Sequence, residues 1–279
     1  MSGLAATPGA NVLRTLEGLR ALGRPVGLAE LAQQLLALDT PVSPAIARRV
    51  VAAALGFPEK ALSDPLEPGL LRSGEEARVE SVPLERADLH VVDLETTGLS
   101  TDDCSIIEIG AVRISGLECV DSFETLVKPR ELLPRRITDI TGIDDAMLAD
   151  APSAAAALPM FRDWLERHPG APFVAHNASF DSRFVECAFE TLGVAPYRTP
   201  VLCTVRLARR LIPHLGRFNL DHVCAHFGIR NRARHRAMGD ASATAMALIE
   251  MLQIALASGK TRTLGDLLDL QARPTRRRP

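Results

Sequence analysis

Three short segments of the chain carry carboxylates and a histidine of the kinds that metal-assisted hydrolysis needs. They are VVDLETTG with Asp93 and Glu95, HNASFD with Asp181, and HRAMGD with His235 and Asp240. Carboxylate oxygens are hard ligands for Mg²⁺ or Mn²⁺, and two such ions about 3.5 to 4 Å apart can hold the attacking and leaving oxygens of a phosphodiester. A histidine, with an unperturbed pKa of about 6.5, can accept the proton of the attacking water. We therefore expect the five residues to form one catalytic metal site.

Each segment taken alone also has an ordinary structural explanation. A DxE pair can lie in a solvated turn, and an aspartate in the first turn of a helix can serve only to complement the helix dipole. The second explanation applies to Asp181 and Asp240, and His235 can be a surface residue of an arginine-rich loop. Asp93 and Glu95, however, are expected on one face of a strand, because side chains alternate along it. Two converging carboxylates repel each other unless a cation or a base pairs them.

The elements that must position these residues begin near Ala87. LHVVDLE, IIEIGAVRI and SFETLVKP predict three successive strands, joined as antiparallel hairpins with a turn at Ser115 and Gly116. APFVAH predicts a fourth strand, which is apolar enough to be buried. The carboxylates of VVDLETTG then lie at the end of the first strand.

Helices are predicted over ASFDSRFVECAFETLG, TVRLARRL and NLDHVCAHFG, and over a last long stretch from about Met238 to Ala257. The first of them begins in HNASFD, where Asn177 or Ser179 is available as its cap, and it ends at Gly193. Strands followed by a strand and several helices predict an α/β fold, with a mixed β-sheet flanked by helices.

Residues 1 to about 80 carry a helical pattern instead. Apolar residues recur at helical spacing in two stretches, and a third helix has Ser43 as N-cap, Pro44 as its first residue and Gly56 as its end. The region has eight basic and nine acidic residues, so it lacks the basic footprint of a DNA-binding module, although a winged-helix arrangement is an alternative. The recurring residues are Val12, Leu13, Leu16, Leu19 and Leu22, then Leu28, Leu31, Leu35 and Leu38.

The change of pattern divides the chain into parts. We expect a helical accessory domain over residues 1–62, a linker over 63–83, a catalytic domain over 84–270 and a basic tail over 271–279. Proline, glycine and mixed charge disfavour a packed element in the linker. With 279 residues, of which 47% are hydrophobic, the chain can bury a substantial core.

Composition also indicates the compartment. The longest apolar runs fall short of the roughly 18 residues that a membrane span needs, and MSGLAATPGA lacks a signal pattern, so we expect a cytoplasmic protein without a membrane partner. The cysteines are odd in number and include no CxxC pair, which argues against a zinc site and a disulfide framework. They are Cys104, Cys119, Cys187, Cys203 and Cys224.

Positive charge is concentrated in one part of a chain whose net charge is −2. Residues 206–236 contain eight arginines and one acid, Asp221, and a second basic cluster ends the chain. Arginines that flank an acidic site can neutralise the phosphates of a nucleic-acid strand and bind it independently of sequence. The alternative is an ordinary solvated face of a helix and a loop.

In this order and at these separations, the three segments resemble the Exo I, Exo II and Exo III motifs of the DEDD-type exonucleases, in the branch with histidine in HxAxxD. The resemblance covers about Leu84 to Leu270 and includes IIEIGAVRI, ITDITGI and FNLDHVCAHFGI. By motif the chain is most similar to the proofreading epsilon subunits of bacterial DNA polymerase III, and to nucleases such as ribonuclease T and oligoribonuclease. One departure is Cys203 followed by Thr204, where family members commonly have Asp-Thr.

The resemblance implies a ribonuclease-H-like fold and two divalent cations, Mg²⁺ or Mn²⁺. Asp93, Glu95 and Asp240 would bind one ion, Asp93 would bridge to the second, and Asp181 would complete that second site. His235 would be the general base. The implied reaction releases nucleoside 5′-monophosphates one at a time from a 3′ end.

The resemblance also implies contacts with the substrate. Thr96, Thr97 and Gly98 would lie under the terminal nucleotide, with glycine allowing a close approach of backbone to substrate. His176 and Asn177 are loop residues expected to shape the site, and either could contact a nucleotide.

Three functions are compatible with these residues. The first is a 3′-to-5′ exonuclease of proofreading or repair type, acting on single-stranded 3′ ends of DNA and serving a DNA polymerase or a replication or repair complex. The second is an exoribonuclease or oligoribonuclease that trims RNA, which the motifs do not separate from the first. The third is an inactive module that binds nucleic acid or regulates, against which the presence of all five catalytic-type residues speaks.

Overall fold

The computed structural model describes residues 15–16, 18–19, 24–38, 40–55, 59, 62, 64–66, 81–101 and 105–273. The chain forms two compact units, Met1–Ser81 and Val82–Pro279. Several predicted features lie outside the described residues: most of the linker, the helix end at Gly56, Cys104 and the tail beyond residue 273. The same holds for Val12, Leu13 and Leu22 of the first predicted helix.

The first unit contains two helices whose bounds are described, α1 over Leu28–Leu35 and α2 over Pro44–Leu55. Pro44 is the first residue of α2, as predicted. Leu38, predicted on the apolar stripe of α1, lies beyond its end and is 44% exposed, because the chain turns at Ala37 with a φ of 51°. The buried side chains of this unit include Leu16, Leu19, Val26, Leu28, Leu31, Val51, Leu55 and Leu66.

The second unit is built on a five-stranded sheet with the order β3-β2-β1-β4-β5. β1 pairs with β2, and β2 with β3, in antiparallel fashion, whereas β4 and β5 extend the sheet in parallel. The mixed sheet confirms the predicted fold class. β5 was missed, because three residues are too few to give a periodic signal. The strands are β1 over Asp88–Thr96, β2 over Ile106–Ser115, β3 over Glu118–Leu126, β4 over Phe173–Ala175 and β5 over Val201–Cys203.

The hairpin between β2 and β3 differs from its prediction. Ser115 is still in the strand, where it pairs with Glu118, and the turn consists of Gly116 and Leu117. Both turn residues have positive φ, 58° and 67°, as a two-residue turn of the type favoured by strand twist requires. The turn comes one residue later than predicted, but because it has only two residues, β3 begins directly after it at Glu118 instead of Ser122.

Helices cover both faces of the sheet. Val92 and Leu94 of β1 pack into an apolar cluster with α5 (Ala154–Glu166) and α6 (Ser179–Thr191), which includes Phe161 and Phe184. Side chains alternate along a strand, so Asp93 and Glu95 point to the opposite face, on which α9 (Ala237–Ala257) lies. The helices are α3 over Arg135–Thr141, α4 over Asp145–Leu148, α5 over Ala154–Glu166, α6 over Ser179–Thr191, α7 over Thr204–Leu211, α8 over Leu220–His226, α9 over Ala237–Ala257 and α10 over Leu264–Ala272.

Helix α9 is a core helix. Among the described residues it alone has the length and apolar composition of a membrane span, yet half of that stretch is buried and the helix packs on β1 and β2. Its start lies directly against the sheet at Gly110, the residue paired with Asp93. A Cβ atom at Gly110 would come within 2.2 Å of the Ala237 backbone. A glycine on β2 therefore sets how closely the helix approaches the strand.

Replacing a Cα hydrogen of Gly110 with a methyl group tests this packing. Gly110→Ala is expected to destabilise the protein by at least about 1 to 3 kcal/mol, the usual cost of overpacking, because the clash is with backbone that cannot rotate away. Urea unfolding measures the change. Gly18→Ala is the matched control, since nothing lies within 4 Å of the added atom. Equal stability of the two variants would contradict the close approach.

Candidate metal centre

The fold brings three of the predicted ligands together. Asp93 and Glu95 are contributed by the end of β1, and Asp240 by the first turn of α9. One ligand oxygen from each lies within 4.8 Å of the other two. Such a set of hard oxygen donors suits a divalent cation of the Mg²⁺ or Mn²⁺ kind.

Asp181 approaches the cluster from the other side. It lies in the first turn of α6 and is only 4% exposed. The backbone of Leu94 in β1 lies near the Asp181 carboxylate and favours its charged form, and the charge of Asp181 raises the pKa of Asp93. The predicted cap of α6 was wrong: the residue before the helix is Ala178, and no side chain caps it.

The electrostatics of the cluster favour a bound cation. Burial, followed by repulsion from Asp181, Asp240 and Glu95, raises the pKa of Asp93 well above its usual value. Burial also raises the pKa of Asp181 and Asp240, and that of Glu95 to about 7. Among the described residues, only Arg236 near Glu95 and His235 near Asp240 supply compensating positive charge, so without a metal ion some of these groups must keep a proton.

Asp240 is oriented by the loop that precedes its helix. Asn231 donates a side-chain hydrogen bond to Oδ1 of Asp240, and the backbone N–H of His235 donates to Oδ2 at 3.0 Å. His235 itself is exposed and has a φ of 56°, a left-handed conformation that costs a non-glycine residue about 1 to 3 kcal/mol. Gly239 allows the loop to fold back, because a Cβ atom there would lie 2.1 Å from the Ala233 carbonyl oxygen.

An ion pair that the sequence did not reveal anchors the start of α9. Glu108 of β2 is fully buried and accepts hydrogen bonds from Arg236, with Nη2 at 2.6 Å, and from the backbone N–H of Ala237 at 2.8 Å. Glu108 is also the cross-strand partner of Glu95. The pair thus ties the residue after His235 to the strand beside β1. The sequence feature that could have indicated this buried ion pair is a charged residue inside the apolar run IIEIGAV.

The threonines expected under the substrate shape the loop after β1. The Thr96 hydroxyl donates to the Gly98 carbonyl at 2.6 Å. Thr97 pairs with Ser105 through its backbone N–H and its hydroxyl oxygen, each at 2.9 Å. Thr96 and Gly98 are buried and Thr97 is half-buried. The loop therefore continues from the candidate metal ligands on a fixed path.

His176 and Asn177 follow β4 and differ in exposure. Nδ1 of His176 lies 2.9 Å from the Thr204 hydroxyl, and burial lowers the pKa of the imidazole to about 4. Asn177 is exposed, with a φ of 77° that asparagine tolerates better than most residues.

At Cys203, where family members commonly have aspartate, the backbone N–H donates to the side-chain oxygen of Gln271, and the side-chain amide of Gln271 donates to the Val201 carbonyl. Gln271 thereby satisfies the free edge of β5.

The ion pair can be tested by stability alone. Arg236→Met leaves Glu108 buried without its cation and is expected to cost about 2 to 4 kcal/mol, somewhat below the range for fully buried pairs because the Arg236 side chain is 34% exposed. Glu108→Leu combined with Arg236→Met should cost less than Arg236→Met alone. Urea unfolding of the single and double variants gives the coupling free energy between Glu108 and Arg236. Arg24→Met, which breaks an exposed pair with Glu30, should change little.

The raised pKa of Glu95 predicts a pH dependence in the metal-free protein. Between pH 4.5, its usual value, and about 7, its value in the fold, the folded chain keeps a proton that the unfolded chain releases. Stability contributed by this group is therefore lost as pH rises through that window. Buried His90 and His176, with pKa values lowered to about 4, act in the opposite direction below about 6.5.

The difference between wild type and Glu95→Gln isolates this effect. In chelator, the variant should gain thermal stability relative to wild type as pH rises from about 5 to about 8, by about 2 to 4 °C per kcal/mol of relieved repulsion. Adding Mg²⁺ or Mn²⁺ should stabilise the wild type more than the variant, and more at the higher pH. If the melting temperatures of the two proteins changed in parallel with pH, both with and without metal, the acidic cluster would be ruled out as a cation site.

Comparison with known proteins gives the family. Residues 90–248, more than half of the chain and including all five predicted catalytic-type residues, match the family RNase_T, described as "Exonuclease". The DNA polymerase III PolC-type of Bacillus cereus is 38% identical over 169 residues, 61% of this chain and 12% of that protein. The PolC-type polymerase of Caldanaerobacter subterraneus subsp. tengcongensis is 44% identical over 163 residues, 58% of this chain and 11% of that protein. The chain thus spans about a tenth of the length of these relatives.

Solved structures agree with this result. Exonuclease X in complex with 5′ overhanging duplex DNA is 28% identical, with a TM-score of 0.52, over 66% of this chain and 99% of that chain. The nuclease domain of 3′hExo, a DEDDh family member bound to rAMP, has the same fold at 20% identity, with a TM-score of 0.54 over 62% of this chain and 94% of that chain. The predicted ribonuclease-H-like fold is thereby confirmed. The chain belongs to the exonuclease family, within the DEDD superfamily of metal-dependent nucleases that its three motifs predicted.

Proposed function

We propose that this protein is a 3′-to-5′ exonuclease that uses two Mg²⁺ or Mn²⁺ ions to release nucleoside 5′-monophosphates from single-stranded 3′ ends of DNA. The observation that carries the proposal is the convergence of Asp93, Glu95 and Asp240 within 4.8 Å, with Asp181 buried beside them. This crowding is costly without cations, so the site is built for them.

The proposed roles follow from the position of each side chain. Asp93, Glu95 and Asp240 would hold one cation, and Asp93 with Asp181 the other. Bound there, the cations would lower the pKa of a water molecule and neutralise charge that develops on the phosphate and the leaving 3′ oxygen. His235 is exposed next to Asp240, where its imidazole can take the proton of the attacking water.

The residues proposed to contact the substrate are supported by different observations. Thr96, Thr97 and Gly98 form a fixed loop immediately after two ligands, which suits a floor for the terminal nucleotide. Asn177 is exposed near the start of α6 and can reach a nucleotide from there. The hydrogen bond between His176 and Thr204 fits a role in shaping the site.

DNA is the substrate that the relatives favour. The PolC-type relatives are DNA polymerases, and the exonuclease X structure contains DNA. We accordingly infer a proofreading or repair role in the cytoplasm, in association with a DNA polymerase or a replication or repair complex. In this proposal residues 84–270 catalyse, residues 1–62 form a helical accessory domain for substrate or partner docking, residues 63–83 link the two, and residues 271–279 form a basic tail.

Activity on labelled oligonucleotides tests the proposal. With Mg²⁺ or Mn²⁺, a 5′-labelled single strand should shorten in single-nucleotide steps, and a 3′-labelled strand should release labelled mononucleotide at once. Asp240→Asn and His235→Ala should each reduce the rate at least about a hundredfold, the scale of losing a metal ligand or a general base. Cleavage from the 5′ end would contradict the polarity.

Two further arms complete this experiment. Arg86→Ala, an exposed change at the far end of β1 from the cluster, serves as the matched control and should retain wild-type activity. Digestion of RNA of the same sequence decides between DNA and RNA. A higher rate on RNA would replace the proofreading role with RNA trimming, while leaving the metal centre in place.

A further inference from the structure

A surface next to the candidate metal centre combines arginines with aromatic rings. It is formed where the end of α7, the 3₁₀ helix Pro213–Leu215 and α8 meet. The guanidinium of Arg209 lies 5.8 Å from the ring centroid of Phe218, and the rings of His214 and His226 lie 5.2 Å apart. The arginine–aromatic surface is defined by Arg209, His214, Arg217, Phe218, His226 and Phe227.

Among the described residues, the two arginines of this surface lack a carboxylate partner. Arg234 pairs with Asp221, the only acid among residues 206–236, and Arg236 pairs with Glu108. Arg209 and Arg217 are both exposed, and no carboxylate lies within ion-pair distance of either within residues 81–101 and 105–273. Exposed guanidinium groups without a carboxylate partner attract anions, and the two parallel N–H donors of arginine suit the oxygens of a phosphate.

The surface adjoins the metal centre through two connections. The ion pair of Arg234 with Asp221 links the first turn of α8 to the residue before His235. The backbone of Phe218 lies near the ring of His176 and raises its pKa, against the larger effect of burial; His176 directly follows β4, the strand beside β1. A strand whose 3′ end reached the carboxylates would therefore have this surface as a neighbouring place for the nucleotides that precede the end.

The aromatic rings indicate the form of nucleic acid that fits. His214 and His226 are exposed, Phe218 and Phe227 are half-buried, and the rings of His226 and Phe227 lie 4.8 Å apart at 72°. Rings of this kind stack on the faces of bases, which a single strand presents and a base-paired duplex hides. Charge for phosphates and rings for bases together select an unpaired strand.

We propose that the arginine–aromatic surface binds the single-stranded segment that precedes the 3′-terminal nucleotide. The proposal rests on the proposed exonuclease function and specifies where that site holds the rest of its substrate. Arg209 and Arg217 contact phosphates, and the histidine and phenylalanine rings stack on bases. Binding at this surface is independent of sequence, because neither contact reads the edge of a base.

The first experiment measures binding in chelator, where metal-dependent cleavage is blocked. Fluorescence anisotropy follows a labelled thymidine oligomer and the matching uridine oligomer over a range of salt concentrations. Arg209→Gln with Arg217→Gln should weaken binding and reduce the slope of log affinity against log salt by about 0.7 for each phosphate that the variant no longer neutralises. Arg86→Gln with Arg198→Gln removes two exposed arginines at the opposite end of the sheet and should leave the slope unchanged.

The second experiment separates binding from chemistry. With metal present, the Arg209 and Arg217 double variant should show a raised KM on a long single strand, a nearly unchanged kcat, and wild-type activity on a dinucleotide, which is too short to reach the surface. His226→Leu should weaken binding of the single strand roughly fivefold or more, and should leave binding of blunt duplex unaffected.

The outcomes distinguish the two proposals. A wild type that degrades neither long strands nor dinucleotides would refute the exonuclease function itself. An active wild type whose double variant behaves like its control would overturn the arginine–aromatic surface alone. Weakened binding of the thymidine oligomer but not the uridine oligomer identifies DNA as the occupant, and the reverse identifies RNA. Equal reductions in affinity for blunt duplex and single strand would contradict stacking on unpaired bases.

Discussion

Mutual repulsion among carboxylates at the end of β1 is the constraint on which the catalytic unit depends. Asp93, Glu95, Asp181 and Asp240 come from a strand and the starts of two helices, and burial raises the pKa of each, with repulsion from neighbouring carboxylates added to it. Such a cluster stores unfavourable free energy, which the surrounding apolar packing must exceed for the chain to fold. A cation relieves the repulsion, so metal affinity and fold stability are linked through the same charges.

A fifth acid, the fully buried Glu108, shows how the fold separates structure from chemistry. Glu108 pairs across the sheet with Glu95, yet it receives a guanidinium from Arg236 and a helix N–H from Ala237. Within the part of the chain that the structure describes, Glu95 has no comparable partner, and only the charge of Arg236 lowers its pKa. An acid that the protein neutralises holds the helix in place, whereas an acid left without a partner is available to a metal ion.

The parts of this arrangement that depend on local pattern could be predicted from the sequence. The strand period placed Asp93 and Glu95 on one face, and the helix starts placed Asp181 and Asp240 in first turns. The contact of Glu108 with Arg236 joins residues 128 positions apart, and a single strand gives no sign of which helix will lie on it. The short β5 and the exact hairpin turn were missed or shifted for a different reason, since both depend on one or two residues of register.

The contrast in exposure between buried Asp181 and exposed His235 supports the division of roles proposed for them. A general base must lose the proton it accepts before the next cycle, and an exposed imidazole can pass it to bulk water, whereas Asp181 at 4% exposure cannot do so directly. His235 is fixed through its backbone, by the N–H bond to Asp240 and the left-handed φ. Attachment through the main chain leaves the ring able to face both the attacking water and the solvent. A strained backbone at His235 is therefore consistent with a site that orients its base without burying it.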